Sequence, residues 1–413
     1  MQNLRKPIYQ LLRQSESFFK TDMVYLTKGN FWLFLGQAVA AVSSLVLAIA
    51  FANLVTPEEY GNYKYVFSVA GIINAFSLSG LGITVMRASS INHDGTLKHS
   101  FRQSLTWGVV MVTIAGIACA YYFIQGNNFL GTSLIIVGVT SPLILAASLY
   151  RPFLYGKGRF KIVAFYSIIQ SAVPTFFVLI ALLFKLPILV LVAVHFFSNM
   201  ITLWLLYLGT TKLVEDPKID PATDRLSKHL SIMGAFSTIS GRLDSVLVFQ
   251  LLGGAELAIF SLAVTIPDMI RGYFKNITSL AMPKFAQKTK EEMKLAVWSK
   301  IATVIVFTSI IALLYIWATP YIFRIFFPQY LSAIPYSQVY AISIITTLLL
   351  ASAYFDSQVA VKERYILNVV INGTTIATTI VGIYFFGLWG AIFARIVTRI
   401  VNVSLAAFLI ARH

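Results

Sequence analysis

A chain of 413 residues that is 58% hydrophobic and only 12% charged has about half the charge of an ordinary soluble domain, and its mean hydropathy of +0.78 points to many membrane spans. A net charge of +16 would suggest nucleic acid in a soluble protein, but the basic residues gather in short stretches between apolar runs, so membrane topology accounts for them first. The one cysteine, Cys119, lies in an apolar run, which excludes an intramolecular disulfide and a cysteine metal cluster.

Residues 1–30 are polar and basic, with Ile8, Leu11, Leu12, Phe18 and Phe19 interleaved, and read as an amphipathic cytoplasmic segment at the membrane interface. Twelve apolar spans follow, near 31–53, 61–85, 103–124, 131–150, 161–184, 187–208, 231–252, 257–281, 298–319, 333–355, 365–386 and 388–410. Each is close to the roughly 20 residues that a helix needs to cross a bilayer. With the N-terminus inside, 24 of the 32 Lys and Arg fall in inside segments and three, Lys64, Lys185 and Arg324, in outside loops. That bias sets the orientation, and the even number of spans puts both termini in the cytoplasm.

The longest connection, 209–230, divides the spans six and six: an N-lobe over 31–208 and a C-lobe over 231–413. LVTPEEYGNY from Leu54 and LLGGAELAIF from Leu251 share a helix end, a turn, an acidic residue and an aromatic, 197 residues apart. GRF at Gly158 and ERY at Glu363 recur at an offset of 205. The order and similar offsets argue for a duplication of six-helix lobes about an axis along the membrane normal.

The charges inside spans are the candidate site. In the eighth span Asp268, Arg271 and Lys275 share one helical face, behind Pro267. The twelfth carries Arg395 and Arg399 four residues apart, with Asn402 on the same side. The seventh carries Arg242 and Asp244, which stand about 200° apart around the helix. A charge near the bilayer centre costs roughly 2.5–3.5 kcal/mol, so these side chains are expected to face a protein interior or a wet cavity. Five cations against two acids suit an anion, and arginine suits a phosphate or pyrophosphate. Arg242, Arg271, Lys275, Arg395 and Arg399 are therefore the expected binding residues. Asp268 is expected to hold Arg271 or to carry a coupling proton, and Asp244 to serve a coupling or structural role. His195 reads as a helix-contact residue. The chain holds no P-loop, HExxH, GxSxG or paired carboxylates on a long outside loop, so no catalytic residue, metal or cofactor is expected.

LVTPEEYGNYKYVFSVAGIINAFSLSGLGITVMR from Leu54, YGKGRFKIVAFYSIIQ from Tyr155, GRLDSVLVFQLLGGAELAIFSLAVTIPDMI from Gly241 and AMPKFAQ from Ala281 resemble, in that order, segments of the Wzx-type oligosaccharide (O-antigen) flippases. Those belong to the multidrug/oligosaccharidyl-lipid/polysaccharide exporter superfamily. The resemblance implies an all-α polytopic membrane protein: a V-shaped, alternating-access pair of six-helix lobes in the bacterial cytoplasmic membrane. It implies a substrate of undecaprenyl-pyrophosphate-linked oligosaccharide, with membrane lipids and polysaccharide polymerase machinery as further partners and no nucleic acid. The alternatives are a multidrug/cation antiporter of the same superfamily and a membrane glycan polymerase or ligase. The first wants an acidic interior, and the second wants a larger loop.

Overall fold

The computed structural model describes the backbone of residues 23–279, 290–345 and 361–412, and the side chains of 31–272 (Leu33 apart), 305–345 and 365–409. The expected segment 1–30 lies mostly outside these residues. Among the described residues there are helices and turns but no strand. The first half runs α1 (Met23–Leu54), α2 (Pro57–Ala75), α3 (Leu81–Ser90), α4 (Thr96–Ile124), α5 (Asn128–Ser148), α6 (Tyr150–Gly156), α7 (Phe160–Leu183) and α8 (Ile188–Thr211). The second runs α9 (Thr223–Leu252), α10 (Gly254–Ser279), α11 (Lys290–Phe326), α12 (Ala333–Tyr340), α13 (Ile342–Ile345) and α14 (Val361–Arg412).

Eight helical stretches among the described residues are long and apolar enough to cross a membrane. One of them, Tyr365–Leu409, has 45 residues, about twice a bilayer crossing. Gly387 divides it, at φ 56°, a backbone conformation that glycine adopts without a Cβ penalty. The expected eleventh and twelfth spans are thus two helices back to back. At the bend their backbones touch: a Cβ on Gly390 would overlap the Gly382 carbonyl. The expected tenth span is described only to Ile345.

Sequence and structure part company at the second span. The apolar run 61–85 is not one helix. α2 starts earlier, at Pro57, because Thr56 caps it: its hydroxyl accepts from the Glu59 N–H and the Glu59 carboxylate accepts from the Thr56 N–H. Lys64 therefore lies two turns inside a helix, not in an outside loop. α2 then ends at Ala75, and α3 begins at Leu81 after Gly80. The break is made by a partner far along the chain. Gly80 N–H donates to Ser231 Oγ at 2.9 Å, and a Cβ on Gly80 would strike the Ser227 carbonyl.

Within the first half α1 packs on α7, α4 on α5, and α5 on α8; within the second α9 packs on α14 and α10 on α12. α2 is the helix that joins the halves, packed along both α9 and α10. The bundle has a distal end, which carries the turn at Val55–Thr56, and an opposite, proximal end.

At the distal end the halves meet closely. A Cβ on Gly61 would overlap the Gly254 carbonyl. Ala255 N–H donates to Glu58 Oε2 at 3.0 Å, and Asn53 Nδ2 donates to the Phe326 carbonyl at 2.9 Å. Gln250 Nε2 donates to the hydroxyls of Tyr65 and Tyr122 at 2.6 and 2.8 Å. At the proximal end residues 212–222 link α8 to α9 and lie against the α3–α4 turn. Asp94, fully buried, accepts from Glu215 N–H at 3.0 Å and pairs with Lys157 at 2.8 Å. Asp220 N–H donates to Thr96 Oγ1 at 2.9 Å, and Gly95 passes directly beneath the Pro217 carbonyl. Within the link, the Lys218 backbone N–H holds the half-buried Asp216 carboxyl below its usual range.

Candidate functional site

α9, α10 and the two arms of α14 line a cavity of ≈ 580 Å³. Arg242 and Asp244 enter from α9, Asp268 and Arg271 from α10, and Arg395, Arg399 and Asn402 from α14. The spacing explains the shared wall on α14: residues 395, 399 and 402 recur every three to four positions and so face one way. Arg242 and Asp244 both reach the cavity from opposite sides of α9. The long Arg242 side chain lies across α2 at Gly71, where a Cβ would stand 3.0 Å from Nε. Ser240 Oγ donates to Asn372 Oδ1 at 2.6 Å, tying α9 to α14 at this wall.

The two acids are held by the twelfth span, which corrects the expected local pair. Asp268 is not bonded to Arg271. Its carboxylate accepts from Arg399 Nη2 at 2.6 Å, from Arg395 Nη1 at 3.2 Å and from the Tyr340 hydroxyl at 3.0 Å. A carboxylate one helical turn from Arg271 instead finds two guanidiniums 127 and 131 residues away, because α10 and α14 pack against each other. Arg395 Nε also pairs with Asp244, whose side chain is 7% exposed. Both guanidiniums donate to the Tyr340 hydroxyl, and they stack on aromatic faces: Arg395 over Phe260 at 4.9 Å and Arg399 over Tyr340 at 4.7 Å.

The balance of this cavity is four arginines to two aspartates. Arg271 and Arg242 have no carboxylate within ion-pair distance among the described residues. Arg399 Nη1 is buried and has no hydrogen-bond partner among the described residues. A buried donor on a cation left open in this way is costly unless an anion or water completes it. The cavity wall is thus cationic on balance, with Nη2 of Arg399 fixed by Asp268 and Tyr340. Lys275 falls on α10, but its side chain lies outside the described residues. No group of three His, Cys, Asp or Glu able to hold a metal occurs among the described residues.

Two features escaped the sequence. Tyr340 sits at the centre of the network, yet a lone tyrosine in an apolar run gives no local signal. Lys64 stands 5.2 Å over the Tyr60 ring, on the same face of α2 as Gly71, where Arg242 crosses. His195 Nδ1 lies 3.1 Å from the Tyr63 hydroxyl, edge-on to Phe67.

Among curated proteins no sequence matches the chain. Solved structures do. An outward-facing multidrug resistance MATE family transporter of the MOP superfamily aligns with a TM-score of 0.67 and 13% identity, covering 94% of each chain. An inward-facing one aligns with a TM-score of 0.70 and 15% identity, over 90% of this chain and 95% of that one. A MOP superfamily transporter from Pyrococcus furiosus, described by a binding pocket of reverse polarity and a different function, aligns with a TM-score of 0.60 and 12% identity over 94% and 95% of the two chains. These likenesses establish the fold: an all-α polytopic membrane protein of two six-helix lobes, built as the MATE transporters are. The profile of the polysaccharide biosynthesis proteins matches residues 26–288, well over half the chain, and the protein belongs to that family.

Proposed function

We propose that the protein carries an oligosaccharide, linked through pyrophosphate to undecaprenol, from the cytoplasmic to the outer leaflet of a bacterial cytoplasmic membrane, with both its termini in the cytoplasm. The family and the fold support a membrane transporter of polysaccharide biosynthesis in place of an enzyme. The observation that carries the finer reading is the surplus of cations in the cavity, four arginines against two aspartates, with Arg242 and Arg271 unmatched by a carboxylate among the described residues. A pyrophosphate supplies paired acceptor oxygens that match a guanidinium fork. In this reading Arg271, Lys275, Arg399 and Arg242 bind the head group, Arg395 braces the wall, and Asp268 and Asp244 fix the arginines. A cation antiporter is disfavoured by the sign of the same cavity.

The test is restoration of surface polysaccharide in a strain lacking the protein, with membrane levels checked for each variant. Arg271→Ala and Arg399→Ala are expected to lose it, and Arg271→Lys to keep part, since a charge remains but the fork is gone. Full restoration by both alanine variants would overturn the assignment.

A further inference from the structure

Resting on that reading, we infer that a groove between the two arms of α14 holds the isoprenoid tail of the same lipid. The groove has a volume of ≈ 470 Å³, within the usual range of ligand sites, and lies next to the cationic cavity toward the distal end. Its floor is Gly382, Gly390 and Ala394, and its walls include Val381, Phe393 and Val397. The floor follows from the backbone contact between Gly382 and Gly390, which brings the arms together and leaves no side chain to fill the space in front of them.

Groove and cavity are separate spaces that share no lining residue, but they approach one another along both arms. On the first, Ile371 and Thr375 line the cavity, Thr378 and Gly382 line the groove, and the spacing of 4, 3 and 4 keeps all of them on one face. On the second, Thr398 lines the cavity and Ala394, one turn before it, the groove. The junction is apolar in effect. Thr378 and Thr398 each spend their hydroxyl on a carbonyl of their own helix, at 2.7 and 2.8 Å, and offer methyls to the seam. A cavity that suits an anion thus lies within one helical turn of a groove that suits hydrocarbon. One molecule with both properties fits: a prenyl chain ending in pyrophosphate. A free phosphate or nucleotide would leave the groove without purpose.

The experiment measures binding of undecaprenyl pyrophosphate and of inorganic pyrophosphate to the full chain in nanodiscs, for the native protein and for Val381→Trp, Val397→Trp and Arg399→Ala. The tryptophans fill the groove and do not touch the cavity. They should weaken the prenyl ligand about tenfold and leave inorganic pyrophosphate within about twofold; Arg399→Ala should weaken both. A second arm uses the native chain with a photoreactive group in the tail of undecaprenyl pyrophosphate or in the acyl chain of phosphatidylglycerol. The prenyl probe should label the peptides containing Val381 and Phe393, and unlabelled undecaprenyl pyrophosphate should displace it. Equal labelling by the phospholipid without displacement would make the groove an ordinary lipid crevice and overturn the inference, as would unchanged prenyl binding in both tryptophan variants. If instead the native chain binds neither pyrophosphate ligand, the transport reading falls and the groove with it.

Discussion

Arg395→Met should destabilise the protein more than the double variant Asp244→Asn/Arg395→Met. Arg395 is the shared partner of Asp244, 7% exposed, and Asp268, 37% exposed. Without it, Asp244 remains as a buried carboxylate facing no cation, which costs about 3–5 kcal/mol. Asp268 keeps Arg399 and Tyr340 and is open to solvent, so its share stays under about 1 kcal/mol. In the double variant the charge is gone. An amide at 244 can still accept from the Ser245 N–H and hydroxyl that bond the carboxylate, so the loss should fall to about 1–2 kcal/mol. The assay is reversible unfolding of the purified full chain in mixed micelles, on all four members of the cycle. A coupling of about 2 kcal/mol or more is expected. Two singles that each cost under about 1 kcal/mol and simply add would refute the claim that Arg395 neutralises a buried acid.

Gly61→Val should push the halves apart at the distal end, where its side chain meets the Gly254 carbonyl; spin labels at Asn62 and Glu256 in a chain with Cys119→Ser should separate by several ångströms relative to the parent. Gln250→Leu removes the amide that donates to both the Tyr65 and Tyr122 hydroxyls, which keep their bond to each other, and should lower stability by about 0.5–1.5 kcal/mol, read from the unfolding midpoint. Lys157→Met strands the fully buried Asp94 and should cost about 3–5 kcal/mol, with Lys157→Met/Asp94→Asn recovering part of it. A reporter active only outside should work when fused at Asn127 and fail at Ile219; activity at Ile219 would reverse the orientation.

The helices were legible because each apolar run is long enough to leave little choice, and the Gly387 bend because a single run of twice that length has to turn. The break at Phe76–Gly80 was not legible. Ser77, Ser79 and Gly80 lower the hydropathy only briefly, and the contact that fixes the break, Ser231, lies 151 residues on. The start of α2 was readable and misread: Thr56-Pro57-Glu58-Glu59 carries a capping signature, which places Lys64 inside the helix. The charged positions of the site stood out by their cost in a membrane. Their pairing did not, since spacing along one helix favours Asp268 with Arg271, whereas helix packing delivers Arg395 and Arg399 to the same carboxylate.

The stretch between α8 and α9 is long on paper and short in mechanical terms. Asp94, Gly95 and Thr96 grip it at Glu215, Pro217 and Asp220, so nearly all of its length belongs to the first half of the molecule. Beyond the grip, Asp220 shapes the last two residues, its carboxylate accepting from Ala222 N–H at 3.0 Å and its carbonyl from Thr223 N–H at 3.1 Å, and His99 lies 2.9 Å from Asp224. A rocking of the second half would then have to bend this turn, close to where Gly80 docks on Ser231. Lengthening the connection after Ala222 should loosen the coupling between the halves far more than the same residues inserted at Lys212, before the grip begins.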